Sequence, residues 1–176
     1  MAIAITIGIL VSLGTIFLVL VRFLPAEVEY IELVEVAAPV NRVYDAIRFQ
    51  EQLMEWSAWP RETDSLCEVA HVDGKVGAQT VFMNRKGKRF GYQEITGLQA
   101  NERVSFFLKS HVAPFEKDVR LEFRLKPIPD DRTEVMLWFR EKLRKPHFLI
   151  AYFGGILGWV REMHRKDLAG LKEFVE

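Results

Sequence analysis

The chain is short of the residues on which several chemistries depend. It has one cysteine, Cys67, which excludes an internal disulfide and any cysteine-based metal site and fits a reducing compartment. The four histidines, His71, His111, His147 and His164, include no pair at helical metal spacing and no H-E-x-x-H, so no metal is expected. No serine sits in a nucleophile elbow and no glycine-rich phosphate loop occurs, so no cofactor is expected either. Excess charge is also missing: 24 basic residues face 24 acidic ones. Setting Arg22 aside leaves 23 basic against 24 acidic side chains, which argues against a nucleic-acid partner. There is no internal repeat and no low-complexity tract.

Long apolar runs are confined to one place. Ile3–Val21 carries no ionisable side chain, and Arg22 closes it. A helix rises about 1.5 Å per residue, so roughly 20 apolar residues cross about 30 Å of hydrocarbon. The run is apolar on every side, unlike the helix of a soluble core. A cleaved secretory signal would need a basic start, a shorter apolar stretch and a small-x-small exit; only Met1-Ala2 precedes the run, and Phe23-Leu24-Pro25-Ala26 follows it. The expectation is a retained single-pass anchor over residues 1–24 and one domain over residues 25–176. Arg22 favours a cytoplasmic domain, because basic residues set orientation whereas Glu27, Glu29, Glu32 and Glu35 count for little.

Beyond Pro25 the texture is that of an α+β domain. Val28–Val36 reads as a strand, Pro39 opens a helix burying Val40, Val43, Tyr44 and Ile47, and a second short helix covers Gln50–Glu55. Strands follow at Leu66–Val72, Ala78–Asn84, Phe90–Leu98, Arg103–Ser110, Lys117–Ile128 and Thr133–Lys142, joined by short turns such as Asp73-Gly74. Six or seven strands in hairpin succession predict an antiparallel sheet. From Pro146 and His147 to Glu176 the pattern predicts one long helix, with Leu149, Tyr152, Phe153, Ile156, Val160 and Met163 along one face. Such a sheet curls around such a helix and leaves a cavity between them.

The chain resembles the START-like, helix-grip proteins, also called SRPBCC or polyketide cyclase/dehydrase-like, a group that includes the Bet v 1 allergens. Five stretches carry the likeness: Val34–Ile47 as the opening strand, proline and helix; Trp56-Ser57-Ala58-Trp59; Gly74–Ala78; Thr133–Trp138; and Asp167–Lys172. It spans Val28 to Glu176. It implies a curved antiparallel sheet wrapped around a long C-terminal helix and, as the commonest role, binding of a hydrophobic small molecule or lipid; a minority of the superfamily are enzymes.

Site expectations follow from strand parity and helix faces. A largely apolar lining is expected from Val81, Tyr92, Phe106, Leu121, Phe123, Phe139, Tyr152, Phe153 and Ile156. Trp56 and Trp59 either close the mouth or plug the space between helix and sheet, and Trp59, preceding Pro60, is expected to be extended. Glu94 shares parity with Phe90 and Tyr92; if that face is inward it is the one candidate acid or base for a cyclase or dehydratase, and if outward it is solvated. Gly154, Gly155 and Gly158 make room for a ligand, permit close packing or mark a kink. His164, among Arg161, Glu162, Arg165 and Lys166, reads as solvated. The apolar segment Phe148–Trp159 is either a helix buried against the sheet or a membrane contact, and the cations Lys142, Arg144, Lys145, Arg161, Arg165 and Lys166 either lean on anionic headgroups or form a solvated face. Binding of a hydrophobic or lipid-like molecule leads; a cyclase or dehydratase, and an interaction or stress-response module with a collapsed interior, remain alternatives.

Overall fold

Period-two alternation in the second half of the chain becomes an antiparallel sheet of seven strands, ordered β1-β7-β6-β5-β4-β3-β2. The computed structural model describes residues 1–111, 119–143 and 148–176, with the backbone alone at residues 2–4. After helix α1 (Ala2–Phe23) come β1 (Glu27–Val36), α2 (Val40–Arg48), α3 (Gln50–Trp56) and the short α4 (Trp59–Glu62). Strands β2 (Leu66–Ala70), β3 (Gln79–Met83), β4 (Arg89–Gln99), β5 (Arg103–Ser110), β6 (Val119–Ile128) and β7 (Arg132–Lys142) follow, then α5 (Phe148–Phe153) and α6 (Ile156–Val175). The expected start of the last helix at Pro146 and His147, the first residues of the Lys117 strand, and the cations Arg144 and Lys145 lie outside the described residues.

The strands carry the predicted alternation. On β6, Val119, Leu121, Phe123 and Leu125 are buried while Arg120, Arg124 and Lys126 are exposed. Register places Ile95 opposite Phe106, Phe106 opposite Leu121 and Leu121 opposite Phe139, so these residues share the concave face. Two bulges bend the sheet. Met83 pairs with Arg89 and Phe82 with Gly91, leaving Phe90 over, and a second shift falls between Ile95 and Gly97. An extra residue in one strand kinks it and increases its twist, which helps a sheet to curl over a helix.

Three sequence expectations are corrected. The last helix is not continuous: Gly155 adopts φ 71°, a left-handed conformation that suits glycine, and the chain breaks between α5 and α6. The proposed face therefore does not run through, and Phe153 is 70% exposed. Trp59 is helical rather than extended, because Pro60 falls in the first turn of α4, where its missing N–H leaves no bond unmade. His164 is buried, because α6 turns Val160, Met163, His164, Asp167, Leu168, Leu171 and Val175 inward as one stripe.

Helix α1 is exposed from residue 5 to residue 19, and Ile5–Phe23 is the one described helix long and apolar enough to cross a membrane. Ser12 and Thr15 satisfy their hydroxyls on the carbonyls of Gly8 and Val11, each at 2.9 Å. Its end meets the domain: Val21 and Leu24 pack on the cluster of Leu143, Phe148 and Ala151, and the Tyr152 hydroxyl donates to the Pro25 carbonyl at 3.0 Å.

Helix α6 approaches the α3–α4 turn closely. A Cβ on Gly170 would lie 2.3 Å from the Trp56 carbonyl oxygen, whereas one on Gly158, in the same helix, meets nothing within 4 Å. Gly170→Ala is expected to destabilise the protein by about 1–3 kcal/mol, and Gly158→Ala to be neutral or stabilising by up to about 1 kcal/mol. Urea unfolding of the two variants checks the contrast; equal effects contradict the close approach.

Candidate functional site

Between the concave sheet and α6 lies a cavity of about 320 Å³. Its walls are apolar for the most part. Leu53, Met54 and Trp56 come from α3, Trp59 from α4, Phe82 from β3, Leu108 from β5, Val119, Leu121 and Phe123 from β6, Phe139 from β7, and Trp159 and Val160 from α6. Strands β6 and β7 contribute every second residue, a consequence of parity, whereas β4 and β5 border the cavity with the consecutive residues Phe90–Gln93 and Leu108–Ser110.

The rings are arranged in contact. Trp59 meets Trp159 edge to face with centroids 5.3 Å apart, and Trp159 is 46% exposed, which sets this pair at the mouth. Trp56 packs edge-on against Phe123, and its indole N–H donates to the Ala46 carbonyl at 2.9 Å. Trp56 is thus both cavity wall and the plug that fixes α3 to α2.

Helix α6 is tied down by polar bonds at its flanks. The Tyr30 hydroxyl and His164 Nδ1 are 2.6 Å apart, and Tyr30 stacks on Phe139 at 4.8 Å. Burial drives the His164 imidazolium down to about 4, only partly opposed by the Glu32 charge, so the ring is neutral. Burial also raises the Tyr30 phenol well above its ordinary range, so the phenol keeps its proton and donates it to Nδ1. Asp167 accepts from the Ser57 hydroxyl at 3.0 Å and the Ala58 N–H at 2.7 Å. Burial nevertheless pushes its carboxyl up to about 7, against those hydrogen bonds. Burial would raise Glu32 as well, but its bonds to Arg161 and Arg165 outweigh that and hold it below the usual range.

Glu141 differs from these. It follows Phe139 on the same face of β7, is 1% exposed and borders the cavity, yet its Oε1 has no hydrogen-bond partner among the described residues. Burial pushes its carboxyl up to about 7. Tyr30, near enough to feel its charge, is neutral.

Of the residues singled out in the sequence, Trp56, Trp59, Tyr92, Leu121, Phe123 and Phe139 border the cavity. Tyr92 meets it from between Gly91 and Gln93, which hold the concave positions of β4. Phe106 is buried edge-on against Phe123 in the core and does not reach the cavity. Val81 and Glu94 stand on the convex face: Val81 pairs with Tyr92, and Glu94 with Gln79, whose amide donates to its Oε2 at 2.6 Å. The candidate acid or base is therefore misplaced by one residue of parity. Tyr152 turns to Pro25, Phe153 faces outward, and Ile156 bridges the main core to the cluster beneath α5. Glu141, His164, Asp167 and Trp159 are cavity residues that sequence reading missed. Signals for two of them were present: Glu141 shares parity with Leu137 and Phe139, and His164 lies four residues from both Val160 and Leu168. Among the described residues no group of three or more His, Cys, Asp or Glu could hold a metal.

A curved seven-stranded sheet gripping a C-terminal helix defines the helix-grip fold of the START-like superfamily. Residues 37–149 match the profile of the family described as Activator of Hsp90 ATPase homolog 1-like protein, and the chain belongs to that family. Among solved structures, Ara h 8.0201 superposes with a TM-score of 0.63 at 11% identity, covering 85% of this chain and 97% of its own. TTHA0849 from Thermus thermophilus gives 0.62 at 21% identity, covering 84% and 97%. A protein from Nitrosospira multiformis gives 0.62 at 17% identity, covering 85% and 97%. No curated protein matches the sequence.

The titrating groups set a pH dependence. Folded Glu141 and Asp167 hold their protons up to about 7, whereas the unfolded chain releases them near 4.5 and 3.8. Stability therefore falls as pH rises from those ordinary values towards about 7. His164 opposes this: unfolded it binds a proton near 6.5, folded only near 4, so acidification through that window costs stability. Glu141→Leu removes one of the two carboxyl contributions. It is expected to be more stable than wild type by about 1–3 kcal/mol at about pH 8, with the advantage shrinking towards about pH 4.5. Urea unfolding at the two pH values measures it; an E141L protein no more stable at the higher pH contradicts the burial of an unpaired carboxyl.

Proposed function

We propose that this protein holds a hydrophobic or lipid-like small molecule in the cavity between sheet and α6, with residues 1–24 anchoring it in a membrane and residues 25–176 forming the binding domain. The observation that carries this reading is the cavity itself, of about 320 Å³ with mainly apolar walls. A walled apolar cavity of this size, with a few buried polar groups at its edge, has the form of a small-molecule site. Its volume lies at the small end of ligand pockets, which suits a single chain or a small ring system. Burial is the driving force, at about 2.5 kcal/mol for each 100 Å² of ligand surface removed from water.

The anchor supports the same reading. Helix α1 is apolar and exposed, and α5 packs on its end through Val21 and Leu24. The α5–α6 elbow exposes Ile150 and Phe153 beside that point, and Trp159 at the cavity mouth lies four residues after Gly155. A bilayer around α1 would therefore lie close to the mouth, and the pocket would open near a reservoir of apolar molecules. Arg22 at the end of α1 favours a cytoplasmic domain. The family description names activation of the Hsp90 ATPase; this chain's own features, an apolar-walled cavity beside an apolar N-terminal helix, favour the pocket.

Native mass spectrometry of the full chain, with organic extraction of the same sample, tests the proposal. An apolar molecule at about one per chain is expected, lost from both Leu121→Trp and Val160→Phe while their circular dichroism stays that of wild type. Wild-type protein that never carries or takes up an apolar molecule contradicts it.

A further inference from the structure

The buried polar side chains on the cavity wall have their own partners, with one exception among the described residues. Asp167 is bonded to Ser57 and Ala58, His164 to Tyr30, and Gln93 reaches Gln50 at 3.4 Å. Glu141 alone among buried side chains leaves an oxygen, Oε1, without a hydrogen-bond partner among the described residues. It is 1% exposed, and Phe139 precedes it on the same face of β7, so it stands at an apolar wall rather than in a polar network. Val28 is its neighbour across to β1.

An acceptor oxygen held dry and unbonded is costly, and a leucine or methionine in its place would pack without that cost. The carboxyl becomes favourable there once a donor is brought to it. A molecule entering the cavity brings one if its head carries an O–H or an N–H. We propose that the cavity takes an apolar molecule with one hydrogen-bond-donating head, a hydroxyl or an amine, and that the Glu141 carboxyl receives that donor. This rests on the reading of the cavity as a ligand site and names the class of ligand.

The surroundings sharpen the preference. His164 and Asp167 face the same space, with Tyr30 bonded behind His164: Tyr30 and His164 are neutral, and the Asp167 carboxyl is held near 7. No cation stands beside Glu141 to share its charge among the described residues; Lys109 borders the cavity but is exposed at the rim. An ammonium head thus supplies the missing positive charge and favours the ionised carboxylate. A hydroxyl head supplies a neutral donor to either form. A carboxylate head would be repelled by ionised Glu141 or compete for its proton.

Full-length protein in phosphatidylcholine nanodiscs, read by fluorescence of the cavity tryptophans Trp59 and Trp159, separates these heads. The probes are octylamine, 1-octanol, octyl methyl ether and octanoate, with free concentrations measured by dialysis. Octylamine and octanol are expected to bind about tenfold or more tightly than the ether, which has the same tail and no donor. Octanoate is expected to bind no better than the ether. Glu141→Leu brings amine and alcohol down to the ether's affinity. Glu141→Gln, which keeps an acceptor but no charge, lowers octylamine and spares octanol. In wild type, octylamine also lowers the Glu141 carboxyl titration followed by carbon-13 NMR, and the ether leaves it unmoved.

Equal affinity for all four probes, or a ranking that survives in Glu141→Leu, overturns the inference while leaving the cavity as a binding site. Failure of every probe to bind wild type overturns the inference and the binding role together.

Discussion

Helix α6 is fastened at its flanks and not to the middle of the sheet, and the cavity depends on that. Its backbone neighbours lie mainly on β1, α2, α3 and α5. Tyr30–His164 and the Glu32 pairs with Arg161 and Arg165 hold one flank; Asp167 with Ser57 and Ala58 holds the other. These bonds have preferred lengths and directions, which apolar contacts lack. They fix the helix at a set height, so it cannot settle onto β5 and β6 as hydrophobic burial alone would favour. The space beneath is what remains.

The rest of the domain is arranged around that height. The bulges at Phe82/Met83 and Ile95/Gly97 add local kink and twist to the sheet that faces the helix. Gly170 lets the α3–α4 turn come against α6, and Trp56 closes the inner end while Trp59 and Trp159 meet at the mouth. Each polar peg is itself desolvated, which is why a neutral imidazole and two carboxyls with raised affinity for protons sit in one small region. Perturbed ionisable groups gather where structure serves function as well as where it serves packing, and Glu141, with no bond to account for it, belongs with the first.

Much of this architecture can be read from residues alone, and the failures have physical reasons. Strands such as β6 announce themselves because Val119, Leu121, Phe123 and Leu125 alternate with charges. The helix-grip order follows from strand, short helices, hairpins and a final helix. Cavity residues on β6 and β7 were legible because one face of each strand is plainly apolar. On β4 both faces carry aromatics or polar residues, so parity is ambiguous: Val81 reads as inward but faces out, and of the two placements open for Glu94 the outward one holds. On α6 the signal was masked by charge: His164 stands among Arg161, Glu162, Arg165 and Lys166, yet belongs to the stripe of Val160 and Leu168. The break at Gly154–Gly155 depends on a left-handed φ that no apolar period encodes.

The account stands on an empty apolar space between sheet and α6. A crystal of the full-length protein pressurised with xenon measures that space directly, since xenon enters dry apolar cavities and leaves packed cores untouched. The account predicts a xenon site among Leu121, Phe139 and Val160 in ligand-free protein. An interior filled by its own side chains, with no xenon bound there, would contradict it.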